Sequence, residues 1–375
     1  MVYKEYNIKR IFIAFVALLL FSNVCHAAPV ISSVSDTVKN GEIISINGSS
    51  FGDKLNANPI RYDDFEGMTV GDTLDKATGW WSVVEHTYKP MISSDNQRNK
   101  DSSKNLKCYS KDSQNSIAYK NNIGFANTGK ILFSTWVRWD WGNVTYDSRY
   151  QIKSWRIPAS VASNGGVTYP DFAAFNWWYD KNGGYSVHYV QNHLGEDSGS
   201  NTEYFNSNVL RQDRWYHIMI QADMGTPGKT DGSWWIWTSS ADFSSIYSKI
   251  TQENCLVMVE GSNLLDAVKL DNYLDDGDGT LTLYWDDIYI DNSWARVEIG
   301  NASSYDNCTH REIQIPTSWS SDSISIKINT GSFNSGDGVY LFVVDSEGNT
   351  SSGYKIIIGD DSGIKPPQNV RLSEN

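Results

Sequence analysis

A short segment in the middle of the chain combines an amide, an amine and an indole. It runs Arg-Tyr-Gln-Ile-Lys-Ser-Trp over 149–155. In a β-strand, alternation would place Gln151, Lys153 and Trp155 on one face. An amide can hydrogen-bond a carboxylate, a neutral amine can accept a proton, and an indole can stack on a sugar ring. The segment therefore predicts a surface able to bind and deprotonate a small acidic group.

A second segment, Tyr-Ser-Val-His-Tyr-Val-Gln over 185–191, offers proton donors. Alternation places Tyr185, Tyr189 and Gln191 on one face of a strand and His188 on the other. A phenol held close to a leaving oxygen can protonate it as the bond breaks.

Together the two segments have the groups needed for β-elimination on a uronate-containing polysaccharide. That reaction requires a base for the C5 proton, an acid for the leaving oxygen and a partner for the carboxylate. Lys153 or His188 would be the base, Tyr189 the acid, and Arg138 or Gln151 the carboxylate partner. The hypothesis requires Lys153 and Tyr189 to lie on the same side of their sheet.

Aromatic residues favour a broader interpretation, in which the chain binds an extracellular polysaccharide without cleaving it. The chain has 15 Trp and 21 Tyr, and aromatic rings stack on the apolar faces of sugars. This binding function is the main prediction, with the lyase and a non-catalytic adhesion or scaffold role as alternatives. The residues predicted to contact the sugar are Trp136, Trp155, Trp178, Tyr185, Gln191, His217 and Trp235.

Carboxylates at a Gly-rich turn predict a structural Ca²⁺ site. Asp275, Asp276 and Asp278 lie in Asp-Asp-Gly-Asp-Gly and offer hard oxygen ligands, although the distal Glu of an EF-hand is missing. A solvated acidic hairpin is the alternative. A hydrolase is not expected, because no Glu-x-Asp-x-x-Glu pattern aims paired carboxylates across a glycosidic bond.

The N-terminus and the charge balance indicate an exported protein that does not bind nucleic acid. Lys4, Lys9 and Arg10 precede an apolar run over 11–21, which is too short to span a bilayer. The chain has 31 Lys and Arg against 44 Asp and Glu, a net charge of −13, which repels phosphate backbones and anionic lipid. We expect the mature protein to be secreted, periplasmic or on the cell surface, with no membrane contact.

Three cysteines remain after the leader, and export permits disulfides. Cys108 and Cys255 are predicted to pair because both lie in the central part of the chain, which leaves Cys308 free.

Short alternating runs bounded by Gly, Asn and Asp predict an all-β protein. The N-terminal strands end near Phe51 and find their natural continuation only after Arg296. We therefore predict a jelly-roll β-sandwich inserted into a smaller immunoglobulin-like β-sandwich. The expected boundaries are a signal peptide over 1–27, the two parts of the smaller sandwich over 28–58 and 294–360, the jelly roll over 59–293, and a linker-like tail over 361–375.

Several motifs carry a family resemblance. Tyr-Asp-Asp-Phe-Glu-Gly over 62–67 and Tyr-Trp-Asp-Asp-Ile-Tyr-Ile-Asp over 284–291 resemble the paired first and last strands of concanavalin A-like jelly rolls. Asp-Arg-Trp-Tyr-His-Ile-Met-Ile-Gln over 213–221 is similar to the tryptophan strand of that superfamily, and Ile-Asn-Gly-Ser-Ser-Phe-Gly over 46–52 resembles IPT/TIG domains. The first resemblance implies a jelly roll that binds or cleaves glycans. It also implies a calcium ion near the terminal strands, with Asp63, Asp64, Glu66 and Asp287 as the candidate ligands.

Within that superfamily, the lyases use a Gln-x-His strand and a Tyr-x-Lys-x-Gly-x-Tyr-x-Gln strand. This chain has Lys153 where the first pattern has His. It retains Tyr185, Tyr189 and Gln191 of the second pattern but lacks its Lys and Gly.

Overall fold

The structure is a computed structural model, and it describes residues 27–35, 38–111, 114–142, 150–180, 185–193, 201–205, 212–239, 242–274 and 279–359. Within these ranges no helix is long and apolar enough to cross a bilayer.

Strands dominate the described chain. In its first half they are β1 (Val30–Val34), β2 (Ile43–Ser49), β3 (Arg61–Asp63), β4 (Ser82–Val83), β5 (Met91–Ser93), β6 (Asn105–Lys111), β7 (Ala118–Asn121), β8 (Lys130–Trp141), β9 (Tyr150–Val161), β10 (Val167–Asp180) and β11 (Tyr185–His193). In its second half they are β12 (Asn201–Phe205), β13 (Tyr216–Asp223), β14 (Gly232–Ser239), β15 (Ile246–Cys255), β16 (Ala267–Leu274), β17 (Thr280–Asp291), β18 (Arg296–Gly300), β19 (Arg311–Ile313), β20 (Ile315–Trp319), β21 (Ser323–Lys327), β22 (Gly338–Val344) and β23 (Tyr354–Ile357). One short helix, α1 (Leu74–Thr78), and two 3₁₀ turns, Phe125–Asn127 and Tyr305–Asn307, complete the elements.

Two large antiparallel sheets form a jelly-roll β-sandwich. One has seven strands in the order β12-β11-β10-β9-β16-β7-β4, and the other has eight in the order β15-β14-β13-β8-β17-β6-β5, with β3 paired to β17. Because side chains alternate along β8, Phe133, Val137 and Trp139 all point to the same face of the sheet. All three are fully buried in the core between the two sheets. The Phe133 ring stacks on Trp155 of the opposite sheet, with 5.6 Å between ring centroids.

A smaller sandwich is built from both ends of the described chain. Its sheets have the orders β1-β2-β21-β20 and β19-β18-β22-β23. Strand β2 pairs with β21 from Ile43 opposite Lys327 to Asn47 opposite Ser323. The predicted pairing between the N-terminal strands and the chain beyond Arg296 is therefore present, and the jelly roll lies between β2 and β18. The likeness of this sandwich to IPT/TIG domains remains a prediction.

The smaller sandwich packs on the outer face of the eight-stranded sheet. Leu132, Met219 and Tyr289 project from that face and are fully buried against Trp294 and Ile313. The indole N–H of Trp294 donates to two backbone carbonyls of the large sheet, at 3.2 and 3.1 Å. The part of the outer face around Met219 is thus covered by the smaller sandwich.

Buried charges also join the two sandwiches. Arg98, in the connection between β5 and β6, pairs with Asp286 and Asp287 of β17 and with Glu312 of β19. The Arg98 Nη1 to Glu312 Oε1 distance is 3.2 Å. Tyr62 donates to Asp287 Oδ1 at 2.6 Å, so β3 joins the same network.

The predicted Cys108–Cys255 disulfide is wrong. Both thiols are free and buried, as is that of Cys308. Cys108 is on β6 and Cys255 ends β15, which are separated by five strand spacings of about 4.8 Å in the same sheet. A disulfide requires Cα atoms within about 7 Å of each other, so this pairing is geometrically excluded.

Candidate functional site

The seven-stranded sheet aligns the two segments that the sequence analysis selected. Asn176 of β10 lies directly opposite Lys153 of β9 and, on its other side, opposite Tyr189 of β11. Residues directly opposite one another in an antiparallel pair occupy the same face of the sheet. Lys153 and Tyr189 therefore meet the requirement that the elimination hypothesis places on them. By the same alternation, the row shares the face of Trp155, two residues from Lys153 along β9, whose side chain lies in the core, while Lys153 itself is only half-buried. The same row continues to Tyr204 of β12 and Tyr273 of β16.

Lys153 lies in a cluster of charges that changes its acidity. Burial lowers the pKa of the Lys153 amine, and the positive charges of Arg156 and Lys269 lower it further, while Asp271 and Asp171 oppose the shift. A lowered pKa increases the fraction of neutral amine at a given pH. This is the form of lysine that can accept a proton.

The neighbouring charges are held by tight pairs. Arg156 Nε donates to Asp171 Oδ2 at 2.6 Å, and Lys269 Nζ lies 2.6 Å from Asp271 Oδ2. All four residues are buried. Arg156 and Lys269 are directly opposite each other on β9 and β16, so two cations adjoin across the ladder, and Asp171 and Asp271 offset their repulsion. The sequence analysis missed this cluster, although charged residues on two apolar strands were a usable signal.

His188 does not share the face of Tyr189. It lies opposite Trp177, which in turn lies opposite Ile152. Adjacent residues of a strand occupy opposite faces, so the register excludes His188 from the row that contains Lys153. Of the two bases that the sequence allowed, only Lys153 is in register with the phenol.

The remaining predicted residues of this sheet occupy neighbouring rows of the backbone register. Gln151 lies opposite Trp178, two residues from Lys153 along β9. Gln191 lies opposite Ala174, and Tyr185 lies opposite Asp180.

Three of the predicted sugar-contacting residues are buried, and that prediction is wrong for them. Trp155 has no exposed surface and lies in the jelly-roll core, where its ring contacts Phe133 and Trp285. Trp136 and His217, at 2% and 1% exposure, stack on each other beneath the smaller sandwich. A ring enclosed by protein on both faces cannot stack on a sugar.

Arg138 is also misassigned as a carboxylate partner for this site. It lies on β8, in the eight-stranded sheet, while Lys153 and Tyr189 lie in the seven-stranded sheet. Its guanidinium pairs with Asp140 at 3.0 Å and with Asp213 at 3.3 Å.

Trp235 on β14 is half-buried and lines a cavity of about 390 Å³ between the two sandwiches. Trp294, Arg296 and Tyr305 form the opposite wall of that cavity.

The predicted calcium ligands Asp275, Asp276 and Asp278 lie outside the described residues. Within the described residues, no group of three or more His, Cys, Asp or Glu side chains is arranged to hold a metal ion. The four carboxylates near the terminal strands, Asp63, Asp64, Glu66 and Asp287, are therefore not arranged to hold a metal ion either. Asp63 instead accepts hydrogen bonds from Arg61 and Trp81.

No family model and no curated protein matches this chain. Among solved structures, the chain is similar to the marine PL-14 alginate lyase from Aplysia kurodai, with a TM-score of 0.45 and 12% identity over 62% of this chain and 99% of that one. A variant alginate lyase in complex with alginate tetrasaccharide gives a TM-score of 0.42 and 9% identity over 64% and 98%. The globular domain of T. cruzi calreticulin gives a TM-score of 0.34 and 12% identity over 62% and 87%.

Proposed function

We propose that this chain is an exported polysaccharide lyase that binds a uronate-containing polymer on the seven-stranded sheet and cleaves it by β-elimination. One observation carries the proposal: Lys153 and Tyr189 both pair with Asn176, so an amine of lowered pKa and a phenol share one row of the sheet. Neighbours in such a row are about 5 Å apart, so the two outer members are about 10 Å apart, a separation that accommodates a sugar unit between their side chains.

The roles follow from the chemistry of the groups. Neutral Lys153 takes the C5 proton of the uronate, and the electron pair left on C5 forms the C4–C5 double bond as the C4–O4 bond breaks. Tyr189 donates its proton to the departing O4 oxygen, so that no net charge accumulates on the leaving chain. Products are a shortened chain with a new hydroxyl and an unsaturated sugar at the end of the other fragment.

The uronate carboxylate requires a hydrogen-bond donor or a cation, because elimination places negative charge on it. Asn176 lies between the proposed base and acid, and Gln151 lies in the next row. Amides at these positions replace Arg138 as our proposed carboxylate partners.

Binding without cleavage is the competing function. The aromatic residues give it less support than the sequence suggested, because Trp136, Trp155 and His217 are buried and cannot contact a sugar. The two functions separate in one assay. Purified protein is incubated with alginate, glucuronan and carboxyl-reduced versions of each, and the ultraviolet absorbance of the unsaturated product is followed. We expect a rising signal with at least one acidic polymer and none with the reduced ones. A flat signal together with retention of the protein on an immobilised acidic polymer would favour binding alone.

A further inference from the structure

A second cavity at the junction of the two sandwiches has the composition of a glycan-binding site. It has a volume of about 440 Å³. Arg214, Trp215 and Phe243 contribute from the jelly roll, and Ser332 and Asn334 contribute from the smaller sandwich. The cavity therefore exists only because the two sandwiches are docked.

The lining combines accessible positive charge with partly exposed aromatic surface. Arg214 is exposed, and within the described part of the chain it makes no ion pair. Lys100 is 56% exposed along its side chain, and its nearest carboxylate oxygen, on Asp101, is 3.8 Å away. Trp215 is half-buried, and its indole N–H donates to the Asn96 carbonyl at 3.0 Å. This bond fixes the ring at the edge of the cavity.

Two non-glycine residues of the cavity wall adopt left-handed backbone conformations. Asp213 has φ +64° and Phe243 has φ +59°, and Asn96, which holds Trp215, has φ +52°. A bulky residue such as Phe adopts this region only at a cost in conformational energy, and such residues cluster at ligand sites. Phe243 is held in place by stacking on His310, 3.9 Å between centroids, and by the Thr309 hydroxyl, which donates to its carbonyl at 2.5 Å.

We infer that this cavity is a second binding site for an acidic oligosaccharide, separate from the row on the seven-stranded sheet. Arg214 and Lys100 would pair with uronate carboxylates. Trp215 and Phe243 would contact the sugar rings, and Ser332 and Asn334 would bond their hydroxyls. The inference deepens the proposed function and rests on it for the class of polymer. A site of this kind would hold the polymer to the enzyme between cleavage events.

The test is a calorimetric titration of a uronate tetrasaccharide into the Lys153→Ala variant, in which cleavage is blocked. We expect two binding sites per chain. Arg214→Gln and Trp215→Ala, each added to Lys153→Ala, should remove one site or raise its dissociation constant by about tenfold or more. The matched control is Lys229→Gln, an exposed cation at the opposite end of β13, which should leave both sites intact. Thermal melts confirm that each variant is folded.

A single site in the Lys153→Ala parent would overturn the inference, as would two sites that are insensitive to both substitutions. Equal weakening by Lys229→Gln would assign the effect to overall charge and would overturn it too. Equal binding of a carboxyl-reduced tetrasaccharide would show that the second site does not recognise acidic sugars, which would also overturn the inference. Failure of the proposed function is seen separately, because the wild-type protein would then form no unsaturated product whatever the titration shows.

Discussion

Lys153 and Tyr189 lie on opposite sides of Asn176 in one cross-strand row, although 35 residues separate them in the sequence. The relationship depends on the register of β9, β10 and β11. A slip of one residue in either pairing would move one partner to the other face of the sheet. The register therefore makes the proposed chemistry testable by single substitutions.

Replacing Lys153 should abolish elimination while leaving the fold intact. We expect Lys153→Ala to lower kcat by about 10²- to 10⁴-fold, the usual contribution of a general base. Lys355→Ala, which removes an exposed lysine from β23 of the smaller sandwich, is the control and should retain activity. Initial rates of unsaturated product measure the effect. An active Lys153→Ala enzyme would exclude this residue as the base.

The pH profile should identify an amine as the base. Lysine accepts a proton only when neutral, so the rate should rise with pH up to the pKa of Lys153. Because burial and Arg156 lower that pKa, the rise should level off below the usual lysine value of 10.5. The measurement is kcat/KM against pH. A rate that falls continuously over the alkaline range would contradict the assignment.

Tyr189 and His188 offer a comparison between adjacent residues on opposite faces. Tyr189→Phe removes the proposed acid and should reduce kcat by about 10²-fold or more. His188→Asn should stay within a few-fold of wild type, since the register places it opposite Trp177 on the other face. The reverse pattern would show that the active row is the one that contains His188.

Arg98 should be essential for stability because it is enclosed with three carboxylates. Arg98→Met leaves Asp286, Asp287 and Glu312 without their shared cation, and breaking a buried pair in this way costs about 3–5 kcal/mol. Lys76→Met, which removes an exposed pair with Asp72, should cost less than about 1 kcal/mol. Urea unfolding measures both. Equal effects would mean that the junction network adds no stability.

His217 should make the protein acid-sensitive. Burial lowers the pKa of His217 from its usual 6.5 to about 3, and Glu312 and Glu298 only partly oppose the shift. In the unfolded state His217 is therefore protonated below about pH 6.5, whereas in the folded state it stays neutral down to about pH 3. The contribution of neutral His217 to the free energy of unfolding is therefore complete above pH 6.5, and it is lost as the pH falls towards 3.

His217→Gln tests this effect through the difference between two stability curves. The unfolding free energy of the wild type should fall more steeply than that of the variant between pH 6.5 and 5, by up to about 1.4 kcal/mol per pH unit. Chemical denaturation at several pH values gives both slopes. Parallel curves would show that His217 titrates normally in the folded protein.

The three described cysteines should be unreactive thiols. Burial raises the pKa of Cys108 to about 12, and it also raises the pKa values of Cys255 and Cys308. Iodoacetamide should label none of them in the native protein and all three after unfolding without reductant, as measured by mass spectrometry. If only Cys308 were labelled in the unfolded chain, the result would show that Cys108 and Cys255 are joined in a disulfide after all.

The sequence by itself determined the class of the fold. Alternation of apolar and polar residues has a period of two in strands such as β8 and β13, and it assigns Phe133 and Ile218 to the core without reference to any partner strand. The interrupted N-terminal pattern likewise predicted that β2 pairs beyond Arg296, because the strands that continue this pattern occur only there, and the structure contains the pairing.

Only the tertiary structure decided which polar and aromatic residues meet. Alternation shows that Trp136, His217 and Trp235 lie on the second face of their strands, but it cannot show whether that face meets solvent or another sandwich. The smaller sandwich covers Trp136 and His217, while the register of a different sheet brings Lys153 to Tyr189. Periodicity is a local property of the chain, whereas strand order and domain packing depend on contacts between residues far apart in sequence, and these contacts fixed the candidate site.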